Sequence, residues 1–385
     1  MIKYYLKRLW KYFPQKLRHI LITVYFFGRR GVHNPLAPLA PLYVLGAFAS
    51  SSGLAESARL YAHARKAEGL DVICLDITRA MEQRVDYSEE IAGVVSFDQR
   101  HTLSAPGTIV IHANPPHFQL TLARLGSDFM KNKRIVGYWA WEVEALPPVW
   151  LQALRIVDAV EVPSRFVQQA LQVWTNKTVI VVPHVVTVPS RRKAEFMSDG
   201  ILRCLYCFDV SSGMNRKNPM AVLRAFAEAF PCGEAELTFK VCGSSAAPHA
   251  MLRLRDACAS IPHVCIITDI LDRDGMTDLY CRHDVYISLH RSEGYGLTIR
   301  EAMLHGLYVV ATGWSGNMDF MNGELACPVP FRLVPIDQES GPLKGLNGKW
   351  AEADISAAAA QLRLLYNALK TKNGIREVCL CGSCL

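Results

Sequence analysis

The sequence predicts an α/β protein built from two doubly wound parallel sheets. Short apolar runs of strand length alternate with amphipathic stretches of helical spacing, a pattern typical of parallel strands covered by helices. The alternation stops once, in a stretch rich in basic residues at 186–200 that we interpret as a linker, and then resumes. With 385 residues, the chain is long enough for two domains that each bury a core.

The two series of alternating segments give the bounds of two domains, predicted at residues 41–187 and 200–370. The first opens with an apolar strand, a loop of small residues and a helix. Its predicted strands are 42–48, 71–75, 107–112, 134–139, 159–162 and 178–182, with the first helix at 54–67. The predicted strands of the second are 201–208, 237–242, 264–268, 285–289 and 308–311, with a last helix at 351–370. Sheets of this kind bind ligands beyond the carboxyl ends of their strands.

Basic residues are concentrated at the start of the chain. Eight Lys and Arg side chains precede the first acidic residue, Glu56, and interleave with aromatic residues. The formal net charge of the whole chain is +7, so the chain from Glu56 onward is close to neutral. Such a segment favours an anionic membrane surface, and its apolar run at 20–27 is too short to span a bilayer. We expect residues 1–40 to be a basic amphipathic extension that holds a cytoplasmic protein at the inner face of the membrane. A disordered or self-packed extension is the alternative, and nucleic-acid binding is not supported.

The twelve cysteines show no regular framework, which is typical of a reducing cytoplasm. Cys204 and Cys207 have the spacing of a metal knuckle but lie inside an apolar strand, so we expect buried thiols. Asp272 and Asp274 resemble an Asp-x-Asp metal motif but stand just before a helical stretch, so we expect N-capping. The sequence therefore predicts no metal site.

The glycine-rich turn within residues 290–303 indicates a binding site, because it follows an alternating strand and opens a helix. Its glycines let backbone N–H groups approach a ligand, and the start of the helix supplies a positive dipole end. Both features favour a phosphate. The backbone expected to bind it is that of Gly294, Tyr295, Gly296 and Leu297.

Two carboxylates, Glu293 and Glu301, stand eight positions apart at this turn. Each can accept hydrogen bonds from the neutral hydroxyls of a ribose or a hexose. For Glu301 the alternative is a capping box with Thr298, in which the carboxylate accepts a hydrogen bond from the backbone at the start of the helix. A capping box leaves Glu293 unexplained.

The carboxylate pair and the run at 306–321 that follows it resemble the retaining glycosyltransferases of family 4, the bacterial glycosyltransferase group 1 type. The resemblance covers roughly residues 42–369. It implies the GT-B fold, in which two Rossmann-like domains face each other across a cleft. The first domain would bind the acceptor, and the second would bind the nucleotide-sugar donor.

The resemblance also implies roles for residues of the donor domain. Glu293 would hold the sugar at the donor's reactive end, and Glu301 would hold the ribose. Lys217 matches the lysine that binds the diphosphate, but the family's upstream arginine is Ser212 here, so Arg216 would replace it. A solvated pair of cations at a helix end is the alternative for Arg216 and Lys217.

Three further residues are predicted to line the site through the same resemblance. His112, at the end of a predicted strand, matches a histidine near the transferred sugar, although histidines at strand ends are also often structural. Gly53 matches a glycine loop that touches the acceptor or the donor phosphate, with a plain turn as the alternative. Asn317 lies in the loop expected to close over the donor.

We therefore expect a hexosyltransferase that moves a hexose from a nucleotide diphosphate sugar to a hydroxyl of a glycan or lipid-linked acceptor, as in cell-surface polysaccharide synthesis. The sugar nucleotide is the donor substrate, and no cofactor is expected. A related phosphorylase would need a lysine for pyridoxal phosphate, and none stands out. A catalytically impaired nucleotide-sugar-binding or scaffold protein is the remaining alternative. The tail at 371–385 carries three cysteines where the family usually continues into a helix, so we expect it to be disordered and the domains to be loosely coupled.

Overall fold

The computed structural model describes residues 34–83, 85–86, 92–188, 195–197, 199–336, 343 and 345–371. The described chain divides into two compact units. Unit 1 contains the residues up to Trp141 together with Leu146–Val185, and unit 2 contains Glu142–Ala145 together with the residues from Val186 onward. Each unit has its own parallel sheet, which confirms the predicted pair of doubly wound α/β domains.

Unit 1 is a seven-stranded parallel sheet with helices in the connections. Its strands are β1 (Leu42–Gly46), β2 (Val72–Asp76), β3 (Val94–Val95), β4 (Gly107–His112), β5 (Lys133–Tyr138), β6 (Ala159–Val162) and β7 (Val179–Val181). Its helices are α1 (Gly53–Ala67), α2 (His117–Leu125), α3 (Ser127–Met130), α4 (Pro148–Ile156) and α5 (Arg165–Gln172). The strand order is β3-β2-β1-β4-β5-β6-β7, so the order reverses between β1 and β4. Ligands bind at such a reversal, beyond the carboxyl ends of the strands.

The central strands of unit 1 are rich in apolar residues because helices cover both faces of the sheet. Every residue of β1 and of β4 is buried. Val44 of β1 pairs in register with Val110 of β4, and both are at most 1% exposed. Ser52 ends the loop after β1 as the N-cap of α1, where its hydroxyl accepts a hydrogen bond from the Ala55 N–H at 3.3 Å.

Unit 2 has a six-stranded parallel sheet and an antiparallel hairpin. Its strands are β8 (Leu202–Asp209), β9 (Ala235–Cys242), β10 (Val264–Ile267), β11 (Val285–Ser288), β12 (Tyr308–Thr312) and β13 (Ala326–Val329), and the hairpin strands are β14 (Phe331–Pro335) and β15 (Lys349–Ala353). Its helices are α6 (Met214–Lys217), α7 (Pro219–Ala229), α8 (Pro248–Ala259), α9 (Arg273–Arg282), α10 (Leu297–Leu304) and α11 (Ile355–Lys370). The order β10-β9-β8-β11-β12-β13 reverses between β8 and β11.

The last predicted helix begins later than expected. Residues 351–353 form the end of β15, where Ala351 pairs with Leu333 of β14, instead of the first turn of a helix. The helix starts after Asp354, whose carboxylate accepts a hydrogen bond from the Ala357 N–H at 3.0 Å. The alanine-rich sequence favours a helix on both sides of Asp354, and the N-cap decides where it begins.

Cys204 and Cys207 are buried thiols, and Asp272 is an N-cap, as the sequence predicts. Cys204 and Cys207 are buried in β8, and burial raises the pKa of both thiols. Asp272 is the N-cap of α9 and accepts a hydrogen bond from the Gly275 N–H at 2.8 Å. Within the described ranges, no three His, Cys, Asp or Glu side chains come together as a metal site.

Two predicted segments fall largely outside the described residues. They are the amphipathic extension at 1–40, of which only 34–40 is described, and the tail at 371–385, of which only Thr371 is described. Among the helices in the described part of the chain, none has both the length and the apolar character needed to cross a bilayer.

Candidate functional site

The site in unit 2 forms where the strand order of its sheet reverses. The chain leaves β8 through a short 3-10 turn (Val210–Ser212) and α6, and it reaches α7 through Asn218, which has left-handed backbone angles of φ 51° and ψ 47°. The Asn218 side-chain amide donates to the Leu289 carbonyl oxygen at 3.0 Å. The Tyr206 hydroxyl donates to the Lys217 carbonyl oxygen at 2.6 Å. The Asn218 bond fixes the loop after β8 against the loop after β11, and the Tyr206 bond ties α6 to β8.

Four charged side chains meet between these two loops. The Lys217 ammonium donates to Glu293 Oε1. Arg216 Nη1 lies 3.5 Å from Glu293 Oε2 and donates to the Ser292 carbonyl oxygen at 3.0 Å. Arg216 Nη2 lies 3.6 Å from Glu142 Oε1. Arg216 is only 6% exposed, so the solvated pair of cations considered from the sequence is not what the structure has at this position.

The charges of this cluster shift one another's pKa values. Burial raises the pKa of Glu293, but Lys217 and Arg216 outweigh burial and lower the pKa to about 2. Burial lowers the pKa of Arg216, but Glu142 and Glu293 outweigh burial and raise it. Burial raises the pKa of Glu142, and Arg216 offsets this only in part. The site therefore sets two cations against one firmly ionised carboxylate, Glu293, and one carboxylate that holds a proton more readily.

The glycine turn leads into α10 as the sequence predicts. Gly294, Tyr295 and Gly296 are buried, and the Tyr295 ring packs on Phe320 with centroids 4.9 Å apart. Gly296 is the N-cap of α10 with φ at 91°, and no side chain caps this helix start. Leu297 is the first helical residue. The N–H groups of the first turn of α10 are thus presented at the end of β11, in the arrangement that binds phosphates.

Glu301 lies within α10 but does not form the capping box. Its carboxylate accepts a hydrogen bond from the Tyr280 hydroxyl at 2.7 Å. Thr298, the proposed partner in the capping box, accepts a hydrogen bond from the Tyr286 hydroxyl at 2.7 Å. The capping alternative for Glu301 is therefore absent from the structure, because the N-cap is Gly296 and the helix begins two residues earlier than such a box requires.

Both the nitrogen and the oxygen of the Asn317 side-chain amide make polar contacts within unit 2. Its Nδ2 donates to the Thr312 carbonyl oxygen at 3.0 Å, and its Oδ1 lies 3.1 Å from His290 Nε2. Asn317 and His290 are fully buried. Asn317 therefore joins the loop after β12 to the loop after β11, and any contribution to ligand binding would come through that position.

The two predicted site residues of unit 1 lie at its own reversal of strand order. His112 ends β4, is fully buried and stacks on Tyr138 with centroids 4.3 Å apart. Its Nδ1 lies 2.9 Å from the hydroxyl of Ser57 in α1, and Nε2 is buried without a hydrogen-bond partner among the described residues. Burial lowers the pKa of His112 well below its ordinary value, so the ring is neutral. Gly53 is the exposed first residue of α1, and apart from its chain neighbours and the backbone of α1, no described atom lies within 4 Å of where its Cβ would be.

Glu142 of the charged cluster and its neighbour Ser292 were not predicted from the sequence to be site residues. The segment Glu142–Ala145 groups with unit 2, although its chain neighbours on both sides belong to unit 1. Ser292 donates its hydroxyl to the Glu142 carbonyl oxygen. Contacts between residues 150 positions apart leave no periodic signal, so no pattern in the sequence could have shown them.

Comparison with known proteins supports the family suggested by these residues. The model of the family Glycosyl transferases group 1 matches residues 206–335, which contain Arg216, Lys217, Glu293 and Glu301. No curated protein matches the chain in sequence.

Two solved structures with TM-scores above 0.5 share the fold at low sequence identity. A glycosyltransferase from Rickettsia africae superposes with a TM-score of 0.55 at 14% identity, covering 86% of this chain and 88% of that one. Anabaena HepE, solved with UDP and glucose, gives a TM-score of 0.53 at 15% identity, covering 73% and 83%. The pneumococcal O-GlcNAc transferase GtfA gives a lower TM-score of 0.45 at 16% identity, covering 70% of this chain. This chain spans about half of the length of GtfA, 52%. Residues 206–335 therefore match a glycosyl transferases group 1 domain, and the two parallel-sheet domains of the chain have the GT-B fold.

Proposed function

We propose that the protein is a retaining glycosyltransferase that moves a hexose from a nucleotide diphosphate sugar to a hydroxyl of a glycan or lipid-linked acceptor. The observation that carries this proposal is the pairing of Arg216 and Lys217 with Glu293 where the strand order of unit 2 reverses. The same edge of the sheet presents the uncapped start of α10.

This arrangement suits a diphosphate leaving group. Lys217 donates one N–H to Glu293 and has two more, and Arg216 adds a buried, permanently charged guanidinium. Cations held in place beforehand in a site with little water stabilise negative charge as it develops in the transition state. Anabaena HepE, which shares the fold, was solved with UDP and glucose, so a uridine nucleotide is a reasonable first donor to test. No metal is required where side-chain cations hold the diphosphate, and we propose none.

The carboxylates would bind the neutral parts of the donor. Glu293 is ionised well below neutral pH and can accept hydrogen bonds from sugar hydroxyls at the reactive end. Glu301, one turn along α10, would hold the ribose hydroxyls. His112 would contact the transferred sugar through its neutral ring, and Gly53 would lie along the acceptor or donor phosphate.

The proposed chemistry keeps the configuration at the anomeric carbon. The leaving diphosphate, stabilised by Arg216, Lys217 and the N–H groups at the start of α10, would itself take the proton of the acceptor hydroxyl as the new bond forms on the same face. Cell-surface polysaccharide synthesis at the inner face of the membrane is the process that we propose for it.

Thermal unfolding with a panel of nucleotides and nucleotide sugars tests the proposal. We expect a nucleoside diphosphate to stabilise the protein without added metal, by about 2.7 kcal/mol at a hundred times its dissociation constant. Transfer is then assayed with the sugar nucleotides that bind. No response to any nucleotide, or a strict requirement for manganese, would contradict the proposal. Binding with no transfer to any acceptor would favour the alternative, a nucleotide-sugar-binding or scaffold protein.

A further inference from the structure

Glu142 is the one member of the charged cluster that the proposed chemistry does not use. It comes from the four-residue segment Glu142–Ala145, which belongs to unit 2. The backbone carbonyl oxygen of Glu142 accepts a hydrogen bond from the Ser292 hydroxyl. The carboxylate of Glu142 lies 3.6 Å from Arg216 Nη2. The next side chain, Val143, is 1% exposed, so the segment is fixed by a buried side chain as well as by these polar contacts.

Ser292 connects Glu142 and Arg216 through the backbone as well. Its hydroxyl binds the Glu142 backbone, while its carbonyl oxygen accepts a hydrogen bond from Arg216 Nη1 at 3.0 Å. Arg216 is consequently held from two sides, with Nη1 toward Ser292 and Glu293 and Nη2 toward Glu142. The ion-pair distances of 3.5 and 3.6 Å are long for charge-assisted hydrogen bonds, so neither carboxylate saturates the guanidinium.

We infer that Glu142 is a positioning residue that holds Arg216 in place as a counter-charge and competes with an anionic ligand for it. Binding of the anion and uptake of a proton by Glu142 then promote each other. The inference deepens the proposed function and rests on it in naming the ligand, a nucleoside diphosphate. It assigns to Glu142 the control of how tightly that diphosphate is held and released.

The sign of the effect follows from the charges that face Glu142. These are Arg216 and Lys217 from α6 and Glu293 from the loop after β11, with His290 next to Glu293. An arriving diphosphate adds negative charge and so favours the protonated form of Glu142. By linkage, protonation of Glu142 strengthens binding by the same factor. Burial already raises the pKa of Glu142, so this coupling acts above the ordinary pH range of a glutamate.

The test measures binding of UDP and of inorganic pyrophosphate by calorimetry from about pH 5 to about pH 8. Glu142→Gln is the central variant, and Glu142→Met is a second uncharged form in case the amide does not fold. Glu144→Gln is the matched control, because Glu144 lies in the same segment but is exposed. We expect the uncharged variants to bind both probes at least about fivefold more tightly than wild type at the alkaline end, with the advantage vanishing as pH falls. Glu144→Gln should follow wild type.

Comparison with the variants cancels the ionisation of the probes themselves, which is the same for each protein. In the wild-type protein, the infrared difference spectrum on adding pyrophosphate should also gain the C=O band of a protonated carboxyl. Folded uncharged variants that bind no more tightly than wild type, or a wild-type spectrum without that band, would overturn the inference. If pyrophosphate shows the expected coupling while no nucleotide binds, the inference holds and the proposed function fails. If UDP binds without the coupling, the proposed function stands and the inference fails.

Discussion

At the scale of single residues, Lys217, which we propose binds phosphate, contacts Glu293, which we propose binds the sugar. Their side chains are 16% and 12% exposed, and the pair bridges loops 76 positions apart in the chain. Arg216 also faces Glu293, so loss of Lys217 still leaves the carboxylate a cation. Substitution of Lys217 can therefore test its role in the reaction without leaving Glu293 as an unpaired buried charge.

We expect Lys217→Ala and Glu293→Ala each to lower turnover by more than about a hundredfold, because each removes a group proposed to act on the leaving group or the reactive end. Glu301→Ala should mainly raise the Michaelis constant for the donor. The measurement is steady-state transfer, with circular dichroism to check folding. Glu236→Ala, which removes a side chain that is 44% exposed, is the control and should retain activity. Early melting of the site variants with normal activity per folded molecule would show that these residues are structural.

The ionisation of Glu293 should be visible in acid unfolding. Its pKa is lowered to about 2 in the folded protein, against about 4.3 for an unperturbed glutamate. A carboxylate with a lowered pKa contributes stability that is present above the unfolded value and is lost as pH falls through the folded value. We expect the free energy of unfolding to fall between about pH 4.5 and about pH 2, and Glu293→Gln to flatten that fall while lowering stability at neutral pH.

Glu142 should act with the opposite sign, because its pKa is raised in the folded protein. Stability from such a group is present below the unfolded pKa and is lost as pH rises through the folded pKa. Wild type should therefore lose stability as pH rises through the pKa of Glu142 in the folded protein, and Glu142→Gln should not show this loss.

The prediction for Glu293 has its own contradicting outcome. An acid unfolding profile of Glu293→Gln that matches wild type would contradict the ion pairs of Glu293 with Lys217 and Arg216.

At the scale of elements, Gly296 determines how β11 is joined to α10. Its φ of 91° is left-handed, and a Cβ would lie 3.1 Å from Ile299 Cδ1 and 3.4 Å from Asn317 Cβ. Both the backbone angle and the space thus favour glycine here. The turn could be predicted from the sequence because a glycine between a strand and a helix indicates a left-handed backbone or a close contact.

We expect Gly296→Ala to lower the free energy of unfolding by about 1–2 kcal/mol, the cost of a left-handed L-residue, and to weaken nucleotide binding. Gly53→Ala is the matched control, because it also stands at a helix start but has open space around its Cβ. Its stability should change by less than about 0.5 kcal/mol. Denaturant unfolding of the two variants measures the difference. Equal stabilities would mean that the turn relaxes without strain.

The sequence predicted elements best where they are buried on both faces. β4 and β6 have the predicted bounds, because runs rich in apolar residues mark strands covered by helices on each side. β3 has two residues, and the hairpin strands β14 and β15 are partly exposed, so their sequences lack such a run. The start of α11 was wrong by four residues because Asp354, a single N-cap, overrides the helix propensity of the alanines before it.

At the scale of the whole molecule, the candidate site could be predicted only where its residues share one local motif. Glu293, Gly296 and Glu301 lie within nine residues of one another, and their pattern is legible in the chain. Arg216 and Lys217 needed the family resemblance, since a pair of cations at a helix end is common on protein surfaces. Glu142 could not be found, because it reaches the cluster through the tertiary fold of a four-residue segment.

The charge distribution of the whole chain leads to a last prediction, about membrane surfaces. Eight cations lie before Glu56, in a stretch whose first 33 residues are outside the described structure. Each cation near an anionic surface contributes about 1 kcal/mol at most, and the sum exceeds what the short apolar run at 20–27 can supply. We expect the full chain to sediment with anionic vesicles, and deletion of residues 1–30 to release it while transfer to a soluble acceptor persists.

Neutral vesicles and high salt separate charge from apolar insertion in this experiment. Because salt at about 1 M shortens the screening length to about 3 Å, binding that depends on the cations should disappear there. Replacement of Lys7, Arg8 and Lys11 by glutamine should reduce binding in proportion to the charge removed. Equal vesicle binding by the full and shortened chains at low salt would show that the basic segment does not hold the protein at a membrane.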